Sequence, residues 1–139
     1  MSLISLETVK AYRETYFNVF TSAPFTLKVD VASSELLALY TLYSSTTCVF
    51  ITACNPFSEV VTDQENVHLQ RNFEKYLKDV KLSYVIGEGK HPSGDWEGES
   101  SFLVFGLGIE ESKRLGIEFK QNAIVWCDCD AVPKLILLR

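Results

Sequence analysis

An α+β fold is predicted here, a mixed β-sheet covered by helices mainly on one face, and three observations predict it. Cys48 to Trp126 reads strand, helix, strand, strand, helix, strand. Ahead of that run, Phe25, Leu27, Val29 and Val31 alternate strictly with Thr26, Lys28 and Asp30, the period of a strand with one buried face. Within it, Thr62-Asp63-Gln64-Glu65 spells a capping box and opens a long amphipathic stretch. The chain of 139 residues, 47% hydrophobic and 22% charged, suits one domain over residues 1–139 with a core that needs no staples.

From Ser5 to Arg13 the apolar Leu6, Val9 and Tyr12 recur every third residue, which predicts a helix. Tyr16 to Phe20 turns aromatic and β-branched, and Ser22-Ala23-Pro24 separates it from the alternating stretch, so the two read as a hairpin. Ser33-Ser34 can cap a short helix with Leu36, Leu39, Tyr40 and Tyr43 on one face. Cys48-Val49-Phe50-Ile51 is continuously apolar, as in a strand buried on both faces, and Asn55-Pro56 turns the chain after it. The capped helix runs to about Val80, with Leu69, Phe73, Leu77 and Val80 inward and Gln70, Arg71, Glu74 and Lys78 outward.

Leu82 to Ile86 is a strand that Gly87-Glu88-Gly89 should stop, and a polar loop carrying Trp96 follows. Ser101 to Phe105 is a strand, Glu110 to Lys120 a helix, Asn122 to Cys127 a strand, and Leu135 to Leu138 the last strand. The order from Cys48 onward is that of the ferredoxin-like split β-α-β-β-α-β unit, preceded by a helix and a hairpin and followed by one extra strand.

Composition narrows the function classes. Net charge is −5, and the 13 Lys and Arg are scattered, so no nucleic acid is expected as a partner. The early charge at Glu7 and the lack of 18 consecutive apolar residues predict neither a secretory signal nor a membrane span, and a cytoplasmic location is expected. Cys48, Cys54, Cys127 and Cys129 lie in apolar runs and read as reduced structural thiols. Cys127 and Cys129 would share a strand face, but their spacing is wrong for zinc, and no metal or cofactor is expected.

Seven stretches carry a family likeness: Ala11-Tyr12-Arg13-Glu14-Thr15; Ile51-Thr52-Ala53-Cys54-Asn55-Pro56; Glu65-Asn66 with Arg71; Glu88-Gly89; Trp96; Glu99 to Val104; and Gln121 to Trp126. Over about residues 11–138 the chain resembles the bacterial domain-of-unknown-function family 3293. The resemblance implies a fold and a bacterial, cellular setting and brings no mechanism. Cys54, in the open position of ITA-x-NP, and Cys127-Asp128-Cys129-Asp130 depart from the family pattern.

The split unit makes one statement about a site. It gathers Thr52 and Asn55, Glu88, Glu99 with Ser101, and Gln121 with Asn122 on one rim, near Thr62 and the free amides of its helix. As a small-molecule site, Asn55, Gln121 and Asn122 would fix polar groups, Glu88 or Glu99 would act as base or metal ligand, and Trp96 would stack as a lid. As structure alone, the same side chains would satisfy turns and strand ends. Glu97 and Glu99, two apart on a strand, could hold a cation but more simply form a solvated strand start. Arg13 and Arg71 are expected on helix surfaces.

Three functions follow. The first is an interaction module that binds a protein or forms a homodimer through a sheet edge or the aromatic helix 1 with Tyr12, Tyr16 and Phe17. A small-ligand sensor at the rim is the second. The third is an enzyme, a hydrolase for example, whose absence of a nucleophile-base-orienter set ranks it last. A pocket beside Asn55 and Gln121 favours the second or third, and a flat rim beside an exposed apolar patch favours the first.

Overall fold

In the computed structural model, which describes residues 3–94 and 97–139, seven strands form one sheet, and three of the four helices among the described residues pack on it. In chain order the elements are α1 (Leu6–Glu14), β1 (Tyr16–Val19), β2 (Phe25–Leu27), α2 (Ser34–Leu42) and β3 (Cys48–Ile51), then a 3₁₀ turn (Pro56–Ser58). They continue with α3 (Asp63–Asp79), β4 (Tyr84–Lys90), β5 (Glu99–Phe105), α4 (Ile109–Glu118), β6 (Ala123–Cys127) and β7 (Pro133–Leu137). The class is α+β.

The sheet runs β2-β1-β4-β5-β3-β6-β7, and every neighbouring pair is antiparallel. This corrects the expected mixed sheet. A helical crossover joins strands that run the same way, yet β5 lies between β3 and β4 and β3 lies between β5 and β6, so no two parallel strands ever touch.

Helices cover both faces rather than mainly one. On one face Leu36, Leu39 and Tyr40 of α2 pack on Phe17, Val19, Leu27, Phe50, Leu103 and Val125. On the other, Phe73 and Leu77 of α3 and Leu115 of α4 pack on Val49, Ile51, Phe102, Val104 and Ile124. β3 therefore buries all four of its residues, which explains its unbroken apolar run. Each large side chain fully buried this way contributes about 1.5–3 kcal/mol.

Strand limits differ from expectation at β4 and β2. β4 does not stop at Gly87 but runs through it to Lys90, because Gly87 is there to make room. A Cβ at Gly87 would sit 2.5 Å from the Asn18 carbonyl oxygen and 2.8 Å from the Phe50 ring. β2 ends at Leu27, since Asp30 takes a left-handed φ of 67° and donates its N–H to Pro133 O at 2.8 Å. With Ser33 N donating to Ala131 O at 3.1 Å, the chain after β2 bridges to the start of β7 and the sheet curls. β6 ends at Cys127, so the exposed Cys129 lies in the following turn and does not share a strand face with it.

Along α3 the capping reading holds in part. Thr62 Oγ1 accepts the Glu65 N–H at 3.1 Å, while the Glu65 carboxylate takes the Thr62 hydroxyl at 3.2 Å rather than its amide. Gln70 faces inward, contrary to expectation, and Val80 caps the helix in solvent. Spacing accounts for Gln70: it lies three residues before Phe73 and seven before Leu77, on the same buried stripe.

Candidate functional site

β3, β5 and β6 deliver their ends to one rim, and the turn after β3 ties it together. Asn55 adopts a left-handed φ of 46°, a conformation its short amide tolerates, and this aims its side chain back at the sheet. Asn55 Nδ2 donates to Glu99 Oε2 at 2.7 Å. Asn55 Oδ1 accepts from Val61 N at 3.1 Å and from Asn66 Nδ2 at 3.0 Å, and Asn66 Oδ1 accepts from Asn55 N at 2.8 Å. One asparagine thus locks β5, the turn and the first helical turns of α3 to one another.

The neighbouring side chains are held in the same manner. Thr52 Oγ1 donates to Ser100 O at 2.6 Å and accepts from Cys54 N at 3.0 Å. Gln121 Nε2 donates to Cys54 O at 3.2 Å and to Phe119 O at 3.2 Å. Asn122 Nδ2 donates to Ser58 Oγ at 3.0 Å, and Ser58 is hydrogen-bonded in turn to the Tyr12 hydroxyl. Ser101 is buried, its hydroxyl donating to Glu99 O at 3.0 Å.

Of the expected residues, Thr52, Asn55, Glu99, Ser101, Gln121 and Asn122 come together here. Glu88 stands apart: it pairs across strands with Asn18 and Ser100, and its carboxylate lies over Gly98. Trp96 lies outside the described residues. Glu97 precedes β5 and is exposed, so the expected Glu97–Glu99 strand pair does not form. Tyr16 and Phe17 belong to β1 rather than to helix 1, and Phe17 is buried.

Two residues of the rim escaped sequence reasoning as site members. Asn66 is one, and its place one turn into a capped helix was the available signal. Gln70 is the other: its Oε1 accepts the Ala53 N–H at 3.0 Å, and its buried Nε2 has no acceptor among the described residues.

Electrostatics single out Glu99. Burial pushes its carboxyl above the usual 4.5, the Asn55 hydrogen bond offsets part of that, and no cation pairs with it among the described residues. Burial likewise pushes the Cys54 thiol up, with the Glu99 charge adding to it and the Thr52 hydrogen bond opposing, so Cys54 is held as a thiol rather than readied as a nucleophile. No group of three metal-ligating side chains occurs among the described residues. Two shallow depressions, of about 340 Å³ beside Tyr40 and Cys129 and about 280 Å³ beside Tyr76 and Arg114, are lined by none of the rim residues.

The rim and the helix behind it also carry the family match. A family model described as a protein of unknown function, DUF3293, matches residues 51–124, from the end of β3 into β6. The chain belongs to this family. Neither a curated protein nor a solved structure matches it. The DUF3293 match spans Thr52, Asn55, Asn66, Gln70, Glu99 and Gln121, so the tie between β3, α3 and β5 lies wholly within the matched segment. It leaves out α1, β1, β2, α2 and β7. No helix of the described residues is long and apolar enough to cross a membrane.

Proposed function

We propose that this DUF3293 chain is a self-associating interaction module, one domain over residues 1–139 whose segment from β3 to β6 acts as a ferredoxin-like split unit. The observation that carries the reading is an open sheet surface. α3 and α4 cover β3, β5 and β6 on one face, and on that same face Tyr16 of β1, Phe20 just after it and Ile86 of β4 are 38%, 50% and 56% exposed. Isolated exposed apolar residues need no explanation, but Phe20 and Ile86 adjoin across strands, with Phe20 N donating to Ile86 O at 2.9 Å, and Tyr16 lies further along the same face opposite Lys90.

A second copy of the chain suits this surface. Glu88 and Lys90 share the face two residues apart, and neither is ion-paired among the described residues. A twofold axis crossing β4 at Gly89 sets each Glu88 opposite the other copy's Lys90 and lays Tyr16 against Asn18. The rim supports the same choice. Apart from Gln70 Nε2, the side-chain amides described there are bonded within the protein, and neither depression adjoins the rim, which favours a structural tie over a ligand pocket. Sedimentation velocity over a wide concentration range tests the proposal: the wild type should pass from monomer to dimer, and Ile86→Lys should stay monomeric. A wild type that remains monomeric at every concentration sinks it.

A further inference from the structure

A second feature has no part in that surface. Cys48, the first residue of β3, stands directly opposite Cys127, the last of β6, on the face covered by α2, and both side chains are fully buried. Directly opposed residues on antiparallel strands have Cα atoms about 4.5–5.5 Å apart, inside the span of about 4.4–6.8 Å that a disulfide bridges. The pair lies beneath α2. Tyr40 lies over it, its hydroxyl donating to Asp128 O at 2.9 Å and standing 3.7 Å from Cys48 Sγ. Tyr40 and the exposed Cys129 line the same depression of about 340 Å³.

We infer that Cys48, Cys127 and Cys129 form a thiol–disulfide exchange unit that takes oxidising equivalents from a small disulfide and stores them as a Cys48–Cys127 bridge. The steps balance. The Cys129 thiolate attacks a disulfide RSSR, forms the mixed disulfide at Cys129 and releases RS⁻, which takes up the proton Cys129 gave. Cys127 attacks the Cys129 sulfur, releasing the second RSH, and Cys48 then attacks Cys127 and returns Cys129 to the thiol. One RSSR and two cysteine thiols become one internal disulfide and two RSH.

Burial sets the rate of this chemistry. The hydrogen bond with Cys48, and then burial, push the Cys127 thiol far up, so exchange waits on opening at the Tyr40 end of the sheet. The fourth thiol is an internal control. Cys54 is buried at the opposite end of β3, with its Sγ donating to Ser100 O at 3.6 Å, and takes no part.

The test incubates the full chain with oxidised glutathione, quenches with a thiol alkylator and maps the products by mass spectrometry under non-reducing conditions. The expected product is lighter by two hydrogens, with Cys48 joined to Cys127 and Cys54 and Cys129 alkylated. The exposed substitution Cys129→Ser should leave the fold intact and slow closure by about tenfold, since the outer thiol is gone. A glutathione adduct on Cys129 with no internal bridge overturns the inference, as does bridging that involves Cys54. Closure of Cys129→Ser at the wild-type rate removes Cys129 from the unit and overturns the three-thiol assignment.

Discussion

Asn55 ties β5, its own turn and α3 together, and the reason is conformational as well as chemical. Its left-handed backbone places one amide where it meets Glu99, Val61 and Asn66 together. Asn55→Ala loses these bonds and leaves alanine, without the local hydrogen bonding that lets asparagine tolerate it, in a left-handed conformation that costs an L residue about 1–2 kcal/mol. The expected loss is about 2–4 kcal/mol in urea unfolding. Glu99 should behave in the opposite sense. Its folded pKa is raised above the usual 4.5, so its contribution is full below that value and is lost as pH rises through the folded pKa. Stability of Glu99→Gln measured against wild type from acid to neutral pH should therefore match at the acid end and exceed it at neutrality. Residue identity made Asn55, Glu99 and Gln121 legible in the sequence as one polar rim, because turn and strand-end chemistry is local. Gln70 was misread because a glutamine on a helix is usually solvated, and only the stripe through Phe73 and Leu77 places it inside.

Elements were legible where a single local rule governs them. Thr62 caps α3 as its spelling predicts, and Thr62→Ala should cost about 1 kcal/mol in thermal or urea unfolding. β3 was equally plain from its apolar run. β4 was not, because glycine reads as a strand stop when only sequence neighbours are considered. Gly87 is in fact a spacer: the Phe17 and Phe50 rings meet edge-on with centroids 5.1 Å apart, and Phe50 fills the space a Cβ would need. Gly87→Ala should destabilise by about 1–3 kcal/mol through this overpacking, detected as a lower urea midpoint with an unchanged slope. The same change at Gly94, where φ is +74° and nothing lies within 4 Å, acts through backbone strain and not through packing.

At the scale of the whole molecule, the sequence conveyed the order of elements but not which faces they cover. Face coverage depends on how far the sheet curls, and the curl is fixed by Asp30 and Ser33 reaching Pro133 and Ala131, more than 90 residues away. The consequence is uneven cover: β3, β5 and β6 are enclosed by helices on both faces, while β1 and β4, with Phe20 just after β1, present Tyr16, Phe20, Ile86, Glu88 and Lys90 on one. Self-association across that surface is the central claim, and its most specific element is the Glu88–Lys90 reciprocity. Charge reversal tests it directly, by comparing dimer dissociation constants of wild type, Glu88→Lys, Lys90→Glu and the double reversal. Each single reversal faces like charges across the twofold and should weaken the dimer by about tenfold or more, and the double reversal should restore it. Single variants that associate as tightly as wild type, or a double variant that fails to recover, would contradict it.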